Sequence, residues 1–271
     1  MERGAETESA FGDVMREWRG ARGMSQMDLA LAAGVSTRHV CFIETGRSRP
    51  SRGMVLRLAE TLELPLRERN SMLFHAGFAP QFPESDLQHQ DLTPIRHALD
   101  LILTSHEPFP AFVLDRNWNI RRANSAHRRL LSMLLPEVTP PEPVNAVRLV
   151  LDPDLLRPMI GNWEQVAHVF GHRINRQLRR PDVASGERQT FETILDLPGV
   201  REAMKNAQAP AGAAVVIPMQ IDLHGQRLSW FSTIATIGTP QDVTLDELRI
   251  ESLFPADDET ERIARALGAK R

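Results

Sequence analysis

The side chains best suited to chemistry lie close together in one short segment, Ser36–Phe42. Thr37 and Arg38 offer a hydroxyl and a guanidinium group, and Cys41 and Phe42 follow one helical turn later, near the same side of a helix. A guanidinium group can donate two parallel hydrogen bonds to guanine, and a phenyl ring can contact the methyl group of thymine. For Arg38 a phosphate contact, which makes no choice of base, stays open as the alternative.

Two short helices joined by a tight turn must position these side chains. Ser25 is a suitable N-cap with Asp28 three residues later, Leu29 begins an apolar face, and Gly34 ends the first helix. Ser36 then caps the second helix. The pattern predicts a helix-turn-helix, in which the leading end of the second helix reaches base edges in the major groove.

Several flanking residues are predicted to contact the DNA backbone. Gln26 opens the first motif helix, where backbone N–H groups and the helix dipole favour an anion. Arg47 and Arg49 lie in a loop before Ser51, the cap of a further helix. Glu44 is expected to pair with an arginine or a helix terminus, since DNA would repel its charge. The candidate DNA-binding residues are Gln26, Ser36, Thr37, Arg38, Cys41, Phe42, Arg47, Arg49 and Ser51.

A longer string around the two helices is more specific than the turn alone. It comprises Gln26, Leu29-Ala30, Gly34-Val35-Ser36, Ile43-Glu44, Gly46-Arg47 and Arg49-Pro50-Ser51. This string resembles the DNA-binding domain of Cro/C1-type (XRE family) transcriptional regulators. The resemblance implies an all-α head of five helices, and helical periodicity between residues 11 and 77 agrees with that number.

Length and charge distribution indicate two domains. The 271 residues are 42% apolar, enough for two cores, and the formal net charge of −3 gives no electrostatic signature for DNA. However, eight arginines face three acids between Arg16 and Arg57, whereas seven acids face Arg249 alone between Asp242 and Glu259. We predict a basic DNA-binding head at 1–78, a linker and connecting helix at 79–108, and a neutral to acidic body at 109–271.

The connecting region changes from a polar, proline-interrupted stretch at 79–91 to a helix. Thr93 is its predicted N-cap and Pro94 its first helical residue. Four apolar residues then share one face, namely Ile95, Ala98, Leu99 and Ile102.

Strands and helices alternate in the body. Two hairpins are predicted, 109–115 with 118–123 and 214–223 with 228–237. Asn124 and Asn162 are expected to cap helices, the second of which ends at Arg180-Pro181. Thr244 and Glu247 read as a capping box that opens a helix carrying Leu245, Leu248 and Leu253. This order predicts an α+β domain with one antiparallel sheet covered by helices, as in a PAS-like sensor.

Four strings of the body carry a second resemblance: PAFVLDRNWNIRRAN, NAVRLVLDP, NWEQVAHVFGHRI and STIATIGTPQDVTLDELRIESLFPADDET. They resemble the PAS-like ligand-binding domain of MmyB-like transcription regulators, and GTPQDVTLDELRIE is the most specific part. The resemblance implies a homodimer that controls transcription and a body with an apolar cavity for a fatty-acid-like molecule.

Large apolar side chains of the body are either core or cavity lining, and the sequence leaves both readings open. Arg148, in a largely apolar segment, would bind a carboxylate head group or pair with an acid of its own domain. The candidate ligand-binding residues are Phe112, Arg148, Trp163, Phe170, Trp230 and Phe231.

The sequence offers little to an enzyme. His168 and His172 have the spacing of a zinc pair, but a helical projection puts them on the solvent side without a third ligand. Cys41 lies within the recognition helix and lacks a catalytic partner. We expect neither catalytic residues nor a metal or cofactor site, apart from the possible fatty-acid-like effector.

Cellular location is predicted from two absences. A single cysteine excludes an intramolecular disulfide, and no apolar run approaches the length of a membrane span. The expectation is a cytoplasmic, nucleoid-associated protein without membrane contact.

Three hypotheses follow. The first is a dimeric transcriptional regulator of double-stranded DNA that responds to an apolar effector. The second is a DNA-binding protein whose body only dimerises or contacts another protein. The third is a DNA-tethered enzyme.

Overall fold

The computed structural model describes residues 2–179, 183, 185–206 and 217–269. They form two compact units, which are described separately. The first unit contains the chain up to Asp86 together with Thr239–Asp246, and the second contains the remaining described residues.

The first unit is built on five helices, as its sequence predicts. They are α1 (Glu2–Ala21), α2 (Gln26–Ala33), α3 (Thr37–Glu44), α4 (Arg52–Thr61) and α5 (Leu66–His75). Helix α1 begins nine residues before residue 11, where the helical periodicity of the sequence starts. Phe11, Met15 and Trp18 are buried together, so α1 packs one apolar stripe against the core of this unit.

The predicted caps of the first unit are confirmed. Ser25 Oγ accepts a hydrogen bond from Asp28 N at 3.1 Å, and Asp28 Oδ2 accepts one from Ser25 N at 2.8 Å. Gly34 ends α2 with φ 67°, a left-handed conformation that suits glycine. Ser36 caps α3 and Ser51 caps α4. Because these caps fix where each helix begins, they also fix which side of α3 faces outward.

An antiparallel sheet organises the second unit. Within the described residues its strand order is β2-β1-β5-β4-β3. The strands are β1 (Ala111–Leu114), β2 (Ile120–Ala123), β3 (Met219–Leu223), β4 (Gln226–Thr236) and β5 (Arg249–Pro255). The register pairs Val113 with Ile250 and Ser232 with Leu253.

The other helices complete the α+β architecture that the sequence predicts. They are α6 (Thr93–Ser105), α7 (Ser125–Leu134), α8 (Ala146–Leu151), α9 (Trp163–Leu178), α10 (Ser185–Leu195), α11 (Val200–Asn206) and α13 (Asp258–Ala269), whereas α12 (Val243–Glu247) lies in the first unit up to Asp246. The main core joins sheet residues such as Leu114 and Trp230 to Ile174 of α9 and Phe191 of α10. Asn124 caps α7, as predicted, by accepting from His127 N at 2.9 Å.

The helix predicted to carry Leu245, Leu248 and Leu253 does form, but it is shorter than predicted and has a different N-cap. Asp242, not Thr244, caps α12, because Asp242 Oδ1 accepts from Thr244 N at 2.8 Å. The helix ends at Glu247, and the region of Leu253 forms β5 at the centre of the sheet. A short apolar run is compatible with either a helix or a buried strand. Here it forms a strand because β1 and β4 provide backbone hydrogen bonds on both sides.

Two other capping predictions are wrong. Helix α6 continues from a short 3-10 turn, and Thr93 Oγ1 donates to Gln90 O at 2.6 Å instead of capping the helix. The Asn162 side chain binds backbone groups near β3, including Pro218 O at 2.8 Å, and makes no cap bond to α9. Residues 214–216, where one strand was expected to begin, and Arg180-Pro181 lie outside the described residues.

The buried face of α6 also differs from the prediction. Leu99 and Leu103 are buried, whereas Ile102 is 40% exposed. Leu101 beside it is 58% exposed. Helix α6 therefore presents an apolar pair to its surroundings.

Candidate nucleic-acid interface

Helix α3 separates core residues from outward-facing ones. Val40 and Ile43 are buried, while Thr37 and Arg38 are exposed and Phe42 is half-buried. The hydrophobic spacing on one side of the helix therefore fixes the outward placement of the predicted DNA contacts.

Two arginines flank the ring of Phe42. The guanidinium carbon of Arg38 lies 5.0 Å from the ring centroid, and that of Arg47 lies 6.0 Å from it. Arg47 approaches because the chain turns back at Gly46, whose φ is 68°, and Arg47 N donates to Phe42 O at 2.8 Å. Thr37, Arg38, Phe42 and Arg47 form what we call the recognition surface, which combines two positive charges with a flat apolar ring.

Glu44 is an internal anchor, as predicted. Its side chain is buried and accepts hydrogen bonds from Arg19 Nε at 2.7 Å and Gln26 Nε2 at 2.7 Å. Arg16 Nη2 donates to the Glu44 backbone oxygen at 2.7 Å. Burial alone would favour the neutral acid, but the hydrogen bonds from Arg19 and Gln26 and the nearby arginine charges lower the pKa of Glu44. The carboxylate thus ties α1 and α2 to the end of α3.

Gln26 has a partner inside the head. Its amide nitrogen carries two hydrogens, and one of them is donated to Glu44. The second hydrogen is the one that the predicted phosphate contact would use.

The remaining predicted contacts differ in how their polar groups are used. The hydroxyl oxygens of Ser36 and Ser51 accept cap hydrogen bonds from His39 N and Met54 N, which leaves each hydroxyl proton able to donate. Cys41 is a free, half-buried thiol, and Arg49 is exposed. The DNA contacts of these four residues stay predictions.

Gly12 is important to the head, and its role was not predicted from the sequence. A Cβ atom on Gly12 would lie 2.5 Å from the backbone oxygen of Glu44. Helix α1 can therefore approach the end of α3 closely only because position 12 lacks a side chain. The available signal is a glycine inside the otherwise regular stripe from Phe11 to Trp18.

The six predicted ligand residues do not converge on one place in the second unit. Phe112 and Trp230 are buried in the core. The Trp163 ring lies 3.6 Å from the Arg157 guanidinium carbon, Phe170 meets Trp118 edge-on, and Phe231 stacks on Phe254. Of the six, Arg148 lines a sizeable cavity.

This cavity, the Arg148 cavity, has a volume of about 360 Å³. Its apolar lining includes Pro141, Ile194 and Leu197. Arg148 Nε contacts Asp152 Oδ2 at 3.0 Å, and its side chain is 44% exposed. Asn117 Oδ1, which also belongs to a lining residue, is buried without a hydrogen-bond partner among the described residues. The pairing with an acid of its own domain, one of the two predicted fates of Arg148, is therefore present, and the cavity combines a partly apolar wall with this half-exposed ion pair and an unsatisfied acceptor.

A second, more polar cleft of about 860 Å³ also lies in this unit. Its arginines are Arg121, Arg122, Arg128 and Arg129. Two of them are neutralised, since Arg129 pairs with Glu107 at 2.9 Å and Arg122 pairs with Asp100 at 2.5 Å. The sequence reasoning missed this cleft, although two Arg-Arg pairs flank the Asn124 cap.

The histidine pair has no third candidate metal ligand beside it among the described residues. The rings of His168 and His172 lie 4.4 Å apart, and His168 Nδ1 lies 3.2 Å from Met204 O of α11. His168 is therefore half-buried against a helix that was not predicted, and not fully on the solvent side. Across the described chain, no three His, Cys, Asp or Glu side chains come together in an arrangement that could hold a metal ion.

The same residues contain no helix that is both long and apolar enough to cross a membrane.

Two family models match the chain. Residues 10–72 match a helix-turn-helix domain model. Residues 95–267 match the MmyB-like transcription regulator ligand binding domain. No curated protein matches the chain.

Proposed function

Because this chain belongs to the MmyB-like transcription regulators, we propose that it binds double-stranded DNA as a homodimer and that an amphipathic carboxylate in the second unit changes this binding. The observation that carries the proposal is the recognition surface, which α3 and the following Arg47 form together. Its exposed hydroxyl and guanidinium groups can reach base edges, and Arg47 adds charge for the phosphate backbone.

The anchoring of α3 supports sequence-specific binding. Glu44 fixes the end of this helix through Arg19 and Gln26, and the core fixes its inner face. A rigid helix presents its side chains at constant spacing, which base recognition requires. In a dimer, two such helices would contact half-sites about 34 Å apart.

The exposed pair Leu101 and Ile102 supports the proposed dimer. Both are large apolar residues on α6, 58% and 40% exposed. A two-fold contact between two copies of α6 would bury both pairs and gain hydrophobic free energy.

The Arg148 cavity supports the proposed effector. Its volume is within the range of small-molecule sites, its wall is partly apolar, and Arg148 offers a charge that suits a carboxylate. A fatty-acid-like molecule would place its head group at Arg148 and its chain along Ile194 and Leu197. Its protonated form could also donate to Asn117 Oδ1.

Both matching families are regulatory, and we propose no catalytic role for the chain. A catalytic zinc ion is held by three protein ligands, and no three His, Cys, Asp or Glu side chains of the described residues come together in this way. Turnover of a bound ligand by the purified full chain would argue for an enzyme instead.

The experiment is selection of duplexes from random DNA by the full-length protein, followed by affinity measurements with and without dodecanoate. Dodecanol, which has the same chain but no charge, is the matched control. We expect an enriched sequence with two-fold symmetry and a change of affinity with dodecanoate only. Enrichment without any effect of dodecanoate would favour a body that only dimerises or contacts another protein.

A further inference from the structure

The first unit contains a segment from far along the chain. Thr239–Asp246 belongs to this unit, although the chain enters it from β4 and leaves it into β5. The segment is not a surface appendage, because Asp242, Val243 and Leu245 are all buried. It also lies within the string that carried the strongest resemblance to a known family.

Helix α5 depends on this segment for its cap. The residue before the helix is Pro65, which makes no side-chain cap hydrogen bond. Leu66 N donates instead to Asp246 Oδ2 at 2.9 Å, across 180 residues of chain. A carboxylate at this end of a helix satisfies an otherwise unpaired N–H group and is favoured by the helix dipole.

The same segment pairs with the stretch that follows α5. Val243 N donates to Pro83 O at 2.8 Å, and Ser85 N donates to Asp242 Oδ2 at 3.1 Å. Thr244 Oγ1 donates to Ser85 O at 2.7 Å. Residues 83–85 contribute only backbone groups to these bonds, whereas residues 242–244 contribute one backbone group and two side chains.

The paired stretch is itself fastened to α5. Asn70 Nδ2 donates to Phe82 O at 2.7 Å, and Asn70 Oδ1 accepts from Phe82 N at 3.0 Å. Helix α5, residues 81–85 and residues 239–246 therefore form one hydrogen-bonded group within the head.

We propose that residues 239–246 bind to the DNA-binding head of the same chain and complete it. Because they lie between β4 and β5, they would also couple the conformation of the head to that of these two strands. The link rests on the proposed function, namely a head that binds DNA. Thr236 and Arg249 are paired at the ends of β4 and β5, directly before and after this region. A conformational change in these strands would thus strengthen or weaken the Asp246 cap of α5. By thermodynamic linkage, DNA binding to the head would in turn change the stability of the strands.

The first test uses the full-length protein without DNA and compares hydrogen exchange in three variants. Asp246→Ala removes the cap of α5, and Asp246→Asn keeps a side chain that caps well. Asp257→Ala is the matched control, because Asp257 Oδ1 accepts from Thr260 N at 2.7 Å and caps α13 in the second unit. We expect α5 amides to exchange about 3- to 30-fold faster in Asp246→Ala, the effect of losing one N-cap.

In Asp246→Asn the α5 amides should exchange nearly as fast as in the wild type. In Asp257→Ala the exchange of α13 amides should be faster and that of α5 amides unchanged. Equal α5 exchange in Asp246→Ala and the wild type would overturn the claim that the segment completes the head.

The second test adds a duplex selected from random DNA. In the wild type, DNA should slow exchange in residues 239–246 and in β4 and β5, and Asp246→Ala should lose the effect in the strands. An unchanged sheet in the DNA-bound wild type, or the same effect in Asp246→Ala, would overturn the link. If no duplex binds, the proposed function fails, while the comparison without DNA still decides whether the segment belongs to the head.

Discussion

Gly12 of α1 lies directly against the backbone carbonyl of Glu44 at the end of α3, so closely that a Cβ atom would come within 2.5 Å of the oxygen. This contact brings Arg16 and Arg19 of α1 within hydrogen-bonding distance of Glu44. Helix α1 therefore sets the placement of the recognition surface, although no residue of α1 belongs to that surface.

Replacing Gly12 with alanine should destabilise the head. Alanine favours a helix by about 1 kcal/mol over glycine, but a clash with backbone costs about 1–3 kcal/mol, so the clash should prevail. Native-state hydrogen exchange of α1 and α3 would measure the loss. Gly20→Ala in the same helix is the control, because a Cβ there meets no atom within 4 Å. Equal stability of the two variants would show that α1 and α3 separate at little cost.

Replacing Glu44 with glutamine should destabilise the head by about 2–4 kcal/mol at neutral pH, because a buried partner of Arg19 is lost. The folded-state pKa of Glu44 is lowered from 4.5, so its stabilising effect is present above pH 4.5 and is lost as the pH falls through the lowered pKa. The difference between wild type and Glu44→Gln in the hydrogen-exchange rates of α3 amides should therefore shrink as the pH is lowered. Glu60→Gln, an exposed position on α4, should show no such difference. A gap between wild type and Glu44→Gln that stays constant as the pH is lowered from 4.5 until the head unfolds would contradict this assignment.

Replacing Arg148 with glutamine should weaken dodecanoate binding about ten-fold or more, since a charge-assisted hydrogen bond to the carboxylate is lost. Titration calorimetry of the full-length protein would measure this. Arg128→Gln, in the polar cleft, is the matched control and should bind dodecanoate as the wild type does. The opposite pattern would move the carboxylate site to that cleft.

Replacing Leu101 with glutamate should shift the protein from dimer to monomer, because a charge cannot be buried between two copies of α6 without a partner. Sedimentation analysis at several concentrations would show the shift. Ile234→Glu, at another exposed apolar position, should leave the dimer intact. A Leu101→Glu protein that remains fully dimeric would place the dimer contact elsewhere.

The head could be predicted from sequence because its signals are local. The Ser25–Asp28 capping box, Gly34 and the Ser36 and Ser51 caps each act within four residues of chain, and all form as predicted. The expected role of Glu44 followed from its charge alone. The role of Gly12 did not, because only the distance between two helices reveals it.

The second unit was harder to predict because its decisive contacts are long-range. Strand β5 is fixed by pairing with β1 and β4, and its own apolar residues also suit a helix. Asp246 reads as an ordinary helix residue until its contact with Leu66 is seen. The aromatic residues predicted to surround one ligand are spread through the unit, because Phe112 and Trp230 are core residues and Trp163 and Phe170 pack against that core.

The measurement that tests the central claim most directly is the affinity of the wild type and of Arg38→Ala for a selected duplex and for a scrambled duplex of equal length at one salt concentration. The wild type should prefer the selected duplex by about 10³-fold or more. Arg38→Ala should lose about 1–3 kcal/mol on the selected duplex and much less on the scrambled one. Arg57→Ala on α4 is the charge-matched control and should keep the wild-type preference. Equal affinity of the wild type for both duplexes would contradict sequence recognition by α3, and equal losses for Arg38→Ala on both would reassign Arg38 to the phosphate backbone.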